Sequence, residues 1–178
     1  MRKLLFITVI ITFPSYSTTQ VEITEQDCQP THEVAFSPNR GALQLILQEI
    51  NNAQSNILVA AYSFTSQAIV DALVAAHDRG VAVSIVVNKG SINGVGAKAR
   101  DIEAKGVQIR ANDKYRIMHN KFIVIDDHTV ETGSFNYSAA AVNRNAENVI
   151  VVKCAPAVTS SYKDEFQRLW DESVDLPS

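Results

Sequence analysis

Two continuous apolar segments, 56–64 (NILVAAYSF) and 81–87 (VAVSIVV), constrain the fold more than any other feature of this sequence. Both have the length of a β-strand and little polar alternation, so they predict strands buried on two faces. The segment between them is typical of an amphipathic helix, because Ile69 and Leu73 recur at helical spacing before Gly80. A strand, a helix and a second strand in succession indicate a parallel sheet covered by helices.

The rest of the chain extends this alternation and then changes it. Ser37 and Pro38 are expected to begin the first helix as N-cap and first helical residue. A short polar connection between two apolar segments near residue 128 favours a hairpin. The order predicts one mixed α/β domain over residues 32–174, and the length of 178 residues suits a single domain. The further predicted strands are 33–36, 107–110, 121–126, 130–134 and 147–153, and the further helices are 38–53, 98–105 and 160–172.

The first residues have the pattern of a secretory signal peptide. Arg2 and Lys3 precede the apolar run 4–13, which is too short to span a bilayer, and small residues follow. We therefore expect residues 1–17 to be removed, with cleavage between 17 and 22, and the mature protein to be periplasmic or secreted. An uncleaved membrane anchor is the alternative. Loss of Arg2 and Lys3 would change the net charge from −3 to −5, so the mature domain is acidic.

Two cysteines, Cys28 and Cys154, fit a compartment in which disulfides persist. The sequence leaves open whether they pair with each other. Neither stands in a pattern typical of a nucleophilic cysteine. If they do pair, the closed loop is long, and the disulfide would stabilise the fold by at most about 4–5 kcal/mol through its effect on the unfolded chain.

The segment 119–126 (HNKFIVID) carries the first chemical signal. Residues i and i+2 of a strand share a face, so His119 and Lys121 are expected to project together. An ammonium group beside an imidazole attracts an anion and lowers the pKa of the histidine, which favours its neutral, nucleophilic form. Asp126 has the opposite parity, so we expect it to brace the structure rather than to touch the anion.

A second polar group, 133–136 (GSFN), follows the next predicted strand. Ser134 and Asn136 share a face by the same parity and offer neutral donors to phosphate oxygens, while Gly133 permits close approach of the backbone. Glu147 opens the following strand, where a carboxylate is able to accept one imidazole proton and leave the other nitrogen as nucleophile. The alternatives are ordinary turn residues at 134 and 136 and a solvated strand end at 147.

Together these residues resemble the signature of the phospholipase D superfamily, H-x-K-x4-D followed by G-S-x-N. The resemblance covers about residues 32–170, and a short secreted chain with one signature is most similar to the small bacterial periplasmic endonucleases that lack sequence preference. It implies an α-β-α sandwich with a central mixed sheet, a histidine nucleophile oriented by Glu147, and neither a metal nor another cofactor. The signature is complete as His119, Lys121, Asp126, Gly133, Ser134 and Asn136.

In-line displacement at phosphorus needs one group that attacks and another that protonates the leaving alkoxide from the opposite side. One imidazole cannot occupy both positions. The chain contains one H-x-K, because His32, His77 and His128 lack a lysine two residues later. We therefore predict a two-fold symmetric homodimer with one composite site. That site would hold His119 and Lys121 from both chains and act through a phosphohistidine intermediate.

The stretch before His119 is the candidate contact surface for nucleic acid. Arg110, Lys114 and Arg116 are expected to meet phosphates and Tyr115 a stacked base, with a solvated loop as the alternative. Five basic residues against one acidic residue between positions 105 and 121 give this stretch a charge opposite to that of the acidic chain. A further candidate contact is Arg144.

The leading hypothesis is a metal-independent endonuclease that hydrolyses DNA without sequence preference. RNA is a further candidate substrate. A phospholipase D-type lipid phosphodiesterase keeps the chemistry and changes the substrate. It would need an exposed apolar surface, and none is obvious after the signal peptide, so we expect no stable membrane association of the mature protein. An inert nucleic-acid-binding module is the remaining alternative.

Overall fold

Eight strands form one mixed sheet, in the order β1-β7-β6-β5-β2-β3-β4-β8. The computed structural model describes residues 28–177, and the predicted signal peptide lies outside them. β2, β3 and β4 are parallel, and the other pairings are antiparallel. The strands are β1 Thr31–Ser37, β2 Asn56–Ala61, β3 Ala82–Asn88, β4 Gln108–Asn112, β5 Lys121–Ile125, β6 Thr129–Gly133, β7 Glu147–Lys153 and β8 Val174–Asp175.

Helices cover both faces of this sheet, which confirms the predicted α-β-α layering. On one face, strand residues such as Ile57 and Ile123 pack with Ile46 and Leu73 of the first two helices in the larger core cluster. On the other face, Phe122 belongs to a second cluster that includes residues of the last helix. The helices are α1 Ala42–Asn52, α2 Gln67–Asp78, α3 Ala99–Glu103, α4 Ala139–Asn143 and α5 Pro156–Asp171.

The first helix begins later than predicted, and the assignment of Ser37 and Pro38 to its N-terminus is wrong. Ser37 is the last residue of β1 and pairs with Glu147, so its backbone belongs to the sheet. α1 begins at Ala42 after Gly41, whose φ of 88° lies in the left-handed region that favours glycine. A long-range strand pairing has therefore displaced a local helix-start pattern. The last helix begins earlier than predicted, at Pro156, and α4 and β8 were not predicted.

Cys28 and Cys154 are joined by a disulfide, with their Cα atoms 5.5 Å apart. The bond fastens the segment before β1 to the residue after β7, at the end of the sheet where the β5–β6 hairpin turns. Within residues 28–177, no helix has the length and apolar character needed to cross a membrane.

Candidate active site

The signature residues meet at one end of the sheet because neighbouring strands run in opposite directions. β5 begins beside the end of β2, with Lys121 paired to Ala61. β6 ends and β7 begins at the same edge, where Gly133 pairs with Val149. Residues that open β5 and β7 and residues that follow β6 therefore project from one edge, although they are separated in sequence.

His119 and Lys121 form a close pair at this edge. The Nζ atom of Lys121 lies 3.3 Å from each ring nitrogen of His119 and donates to the His119 carbonyl oxygen at 2.9 Å. The imidazole is exposed, whereas Lys121 is partly buried. Burial lowers the pKa of Lys121, and the nearby Glu147 carboxylate opposes that shift. The arrangement offers a nucleophilic ring beside a positive charge that is incompletely hydrated.

Tyr62, which no sequence pattern had indicated as a site residue, lies against this pair. Its ring centroid is 4.5 Å from that of His119, with the planes tilted by 57°. The Lys121 ammonium lies over the same ring, 5.4 Å from its centroid. The backbone N–H of Tyr62 donates to the Asn120 carbonyl oxygen at 3.1 Å. Tyr62 thus contributes an aromatic wall that restricts both catalytic candidates.

Glu147 contacts Ser134 rather than His119. Ser134 Oγ donates to Glu147 Oε2 at 2.6 Å and accepts from the Asn148 backbone N–H at 3.0 Å. Asn145 Nδ2 donates to the other carboxylate oxygen at 3.0 Å. In the described part of the chain, no hydrogen bond joins Glu147 to His119, and the orienting role that the resemblance implies stays a prediction. Glu147 instead fixes the Ser134 hydroxyl and faces Lys121 electrostatically.

Asn136 presents a buried carbonyl oxygen, Oδ1, that has no hydrogen-bond partner within residues 28–177. An amide oxygen is an acceptor, so the partner that Asn136 Oδ1 requires is a hydrogen-bond donor. Gly133 fits tightly in the same loop, because a Cβ atom there would collide with the carbonyl oxygen of Asn148. Glycine is therefore required for the approach of β6 to β7 just before Ser134.

Asp126 lies at the opposite end of β5 and binds backbone. Its carboxylate accepts from the N–H groups of Gln54, Ser55 and Asn56 at 2.8, 2.7 and 3.1 Å and from the Ser55 hydroxyl at 2.9 Å. Burial raises the pKa of this group, but the hydrogen bonds from Ser55, Gln54 and Asn56 outweigh burial and lower it overall. Asp126 thus fastens the α1–β2 turn to β5, at a distance from the His119 edge.

A buried acid, also missed by the sequence analysis, supports the loop that carries Ser134 and Asn136. Glu131 is 1% exposed and accepts a hydrogen bond from the Tyr137 hydroxyl at 2.6 Å. Burial raises the pKa of Glu131 to about 8. The Tyr137 carbonyl oxygen in turn accepts from the N–H groups of Thr65 and Ser66 at 2.9 and 3.0 Å. This chain of contacts connects β6, the signature loop and the start of α2.

Three of the predicted nucleic-acid contacts are engaged with other parts of the chain. Lys114 Nζ lies 2.6 Å from the Glu172 carboxylate, and Tyr115 donates its hydroxyl proton to the same group at 2.8 Å. Hydrogen bonds from Lys114 and then Tyr115 lower the pKa of Glu172 to about 2. Arg110 stacks over Trp170, with its guanidinium 4.5 Å from the ring centroid. These side chains fasten the 110–115 stretch to α5 and are not a free basic surface.

The other basic residues considered as nucleic-acid contacts are not held by other parts of the chain in this way. Arg116 and Arg144 are exposed and make no ion pair among the residues that the structure describes. Lys105 precedes β4 and so lies at the end of the sheet opposite His119. Of the five basic residues between 105 and 121, Arg110 and Lys114 are thus paired and Lys105 is at the far end, so only Arg116 and Lys121 carry unpaired charge near His119 among the described residues. In the same described region, no three His, Cys, Asp or Glu side chains are grouped to hold a metal ion.

Comparison with known proteins identifies the family. Residues 46–170 match the family model described as cardiolipin synthase, PLD-like domain. A Rickettsia bellii protein named phospholipase D is 35% identical over 133 residues, which are 75% of this chain and 66% of that protein. A Xenopus laevis protein named mitochondrial cardiolipin hydrolase is 29% identical over 131 residues, 74% of this chain and 62% of that protein. The chain thus spans about two thirds of the length of these relatives.

Among solved structures, a phospholipase D family member called Nuc, from Salmonella typhimurium, superposes with a TM-score of 0.81 at 38% identity. The match covers 84% of this chain and 100% of that one. Fold and site together define a phosphodiesterase, a class of hydrolase. The chain belongs to the phospholipase D superfamily.

Proposed function

We propose that this protein is a metal-independent endonuclease that hydrolyses DNA, and RNA as a further substrate, without sequence preference. The observation that carries the proposal is the 38% identity to Nuc over the whole length of that chain. The longer relatives with lipid-related names are matched over only part of their length. The His119–Lys121 pair, exposed at a strand edge, suits attack on a phosphodiester that approaches from solvent.

We propose further that two subunits share one site. The other three histidines of this chain lie at the end of the sheet opposite His119. His32 is near the start of β1, where it pairs with Val152; His77 is in the last turn of α2; and His128 is in the β5–β6 turn. None of them is placed to protonate a leaving group beside His119. A second copy of the chain, related by a two-fold axis near this edge, would supply the missing imidazole.

The proposed reaction has two steps. A ring nitrogen of His119 forms a bond to phosphorus as the bond from phosphorus to the leaving oxygen breaks, and the partner's His119 donates its proton to that oxygen. Water then attacks phosphorus, the nitrogen–phosphorus bond breaks, and the partner's His119 takes a proton from the water. Lys121 Nζ and the Asn136 Nδ2 group would donate to the phosphoryl oxygens, with Lys121 supplying charge where it is weakly hydrated.

Plasmid nicking in excess EDTA tests the proposed activity. The mature wild-type protein should nick the plasmid, His119→Ala should not, and Lys105→Gln, which changes an exposed cation at the far end of the sheet, should match the wild type. Release of choline from phosphatidylcholine vesicles without plasmid nicking would refute the proposal. Nicking that stops in EDTA would refute it as well. Gel-shifted plasmid that stays intact would indicate a binding module.

Subunit mixing tests the shared site. Wild-type and His119→Ala chains are unfolded together in equal amounts, refolded and assayed at fixed total protein. If each site needs both imidazoles, only wild-type pairs are active, and about one quarter of the wild-type activity should remain. Independent sites would leave about one half. The latter result would contradict the composite site while leaving the nuclease activity unaffected.

A lipid phosphodiesterase is the second candidate, and one structural observation favours it. Val95 is fully exposed and Ile117 is 48% exposed, on the loops that follow β3 and precede β5 at the His119 end of the sheet. Aliphatic side chains at such positions are able to enter a membrane interface. Phosphatidylcholine vesicles included in the same assay separate this activity from plasmid nicking.

We also propose that the protein acts in the periplasm or outside the cell. The N-terminal pattern supports export, and the Cys28–Cys154 disulfide is compatible with an oxidising compartment. Alkylation of free thiols in protein taken from its native compartment, before and after reduction, tests this placement. Two thiols accessible without reduction would contradict it.

A further inference from the structure

Asn145 holds one oxygen of the Glu147 carboxylate, and its own backbone is fastened on both sides. Its side-chain amide donates to Glu147 Oε1 at 3.0 Å. Its backbone N–H donates to the Ala140 carbonyl oxygen in α4 at 2.9 Å. Its carbonyl oxygen accepts from Ser37 Oγ at 3.2 Å, and Ser37 is 6% exposed. The amide donor is therefore held in place by the backbone, although Asn145 itself is exposed.

The other oxygen of this carboxylate is held as well. Ser134 Oγ donates to Glu147 Oε2 at 2.6 Å, so each carboxylate oxygen accepts one hydrogen bond from a neutral donor. Hydrogen bonds to a charged group are stronger than those between neutral groups. The two donors come from different segments, the α4–β7 connection and the loop after β6. Together they fix the orientation of the Glu147 carboxylate.

In this orientation the carboxylate makes no contact with Lys121. Burial lowers the pKa of Lys121, and the charge of Glu147 is near enough to oppose that shift. The strand between them, β6, ends in Gly133, which has no side chain to separate the two groups. Even so, no ion pair joins Lys121 to a carboxylate within residues 28–177. Its Nζ donates to the His119 carbonyl oxygen instead.

We propose that Asn145 is a positioning residue that retains the Glu147 carboxylate on the Ser134 side and so leaves Lys121 free to bind a phosphoryl group. The inference rests on the part of the proposed function in which Lys121 donates to phosphoryl oxygens. Without the Asn145 amide, one carboxylate oxygen loses its donor, and attraction between opposite charges moves it toward the ammonium. A substrate phosphate would then have to displace an anion that belongs to the protein.

Binding of inorganic phosphate to the mature protein, measured by titration calorimetry, tests this role without a cleavage step. Asn145→Ala should weaken binding about fivefold, which is the competition expected from a partly exposed ion pair. Asn143→Ala is the matched control and should leave Kd unchanged, because the Asn143 amide donates to the Ala139 carbonyl oxygen within α4 at 3.1 Å. Lys121→Gln should abolish binding, which would assign the phosphate to this site.

A double-mutant cycle determines whether the effect of Asn145 is transmitted by Glu147. In a Glu147→Gln background the competing charge is absent, so Asn145→Ala should no longer change Kd. A general defect in folding would weaken binding in both backgrounds, and that result would overturn the inference. Unchanged affinity of Asn145→Ala, binding that survives Lys121→Gln, or no phosphate binding by the wild type would overturn it as well.

Failure of the proposed nuclease function is read separately, from plasmid nicking by the wild-type protein. Phosphate binding by Lys121 is common to a nuclease and to a lipid phosphodiesterase. The calorimetric result therefore does not depend on which of the two substrates the protein hydrolyses.

Discussion

Replacing Glu131 with glutamine should remove much of the pH dependence of folding stability near neutrality. The Glu131 side chain is 1% exposed, its hydrogen-bond partner is the Tyr137 hydroxyl, and burial raises its pKa to about 8 from an ordinary value of 4.5. Two charged groups on the neighbouring elements, Glu49 of α1 and Lys153 of β7, are paired with each other at 2.7 Å. The folded protein therefore holds Glu131 as a neutral acid at pH values where the unfolded chain has lost that proton.

The sign and size of the effect follow from proton linkage. Between the unfolded and folded pKa values, the folded state binds one more proton than the unfolded state. The free energy of unfolding therefore falls as pH rises, by at most about 1.4 kcal/mol per pH unit. The contribution of Glu131 to stability is greatest below its unfolded pKa of 4.5 and stops falling above about 8. Between about pH 6 and about pH 8 the loss amounts to about 2 kcal/mol. The glutamine side chain of the Glu131→Gln variant does not titrate, yet its amide oxygen is able to accept the Tyr137 hydrogen bond.

Urea unfolding of the wild-type, Glu131→Gln and Glu103→Gln proteins at several pH values measures this difference. Glu103 is exposed on α3 and serves as the matched control for loss of a carboxylate. The wild type and Glu103→Gln should lose stability together toward alkaline pH, whereas Glu131→Gln should lose about 2 kcal/mol less. Parallel curves for the wild type and Glu131→Gln would refute the assignment of a neutral buried acid.

Three further substitutions test other contacts. Asp126→Ala should lower the free energy of unfolding, measured by urea unfolding, by about 1–2 kcal/mol, because the N–H groups of Gln54, Ser55 and Asn56 lose their acceptor. The exposed control Asp164→Ala should leave that free energy unchanged. An unchanged value for Asp126→Ala as well would contradict the bracing role. Cys154→Ser should lower stability by up to about 4–5 kcal/mol in non-reducing buffer, because a disulfide that spans 126 residues is lost; the mutant and the reduced wild type should then agree. Tyr62→Leu should reduce kcat about tenfold with little change in KM, since the ring restrains His119 and Lys121. Tyr62→Phe keeps the ring and should therefore keep kcat. Equal losses of kcat in both variants would assign the effect to the hydroxyl.

Local sequence patterns predicted the parts of this molecule that depend on short-range geometry. The apolar segments after Asn56 and Val81 form β2 and β3, and two-residue parity correctly placed Lys121 beside His119. These features need only the alternation of strand side chains and the preference of uninterrupted apolar runs for a doubly covered sheet. They do not depend on which distant residue lies opposite.

Features that depend on distant partners could not be predicted in this way. Lys114 looked like a free cation, because its partner Glu172 is 58 residues away on α5. Ser37 looked like a helix cap, because its strand partner Glu147 is still more remote in sequence. The disulfide likewise remained one of two possibilities until the fold brought Cys28 next to Cys154. In each case the deciding contact is tertiary and its partner lies far away in the sequence.

One topological rule explains both the polar residues that were found at this edge of the sheet and Tyr62, which was missed there. β5 runs antiparallel to β2, so the start of β5 shares an edge with the end of β2, and the hairpin brings the end of β6 to that same edge. Polar residues are therefore expected to converge there when they open β5 or β7 or follow β2 or β6. Lys121 and Glu147 satisfy the first condition, with His119 two residues before β5, and Ser134 satisfies the second. In the sequence, Tyr62 resembled a core residue because it lies in the apolar run 56–64. It directly follows β2, however, so the rule selects it once the antiparallel placement of β5 is known.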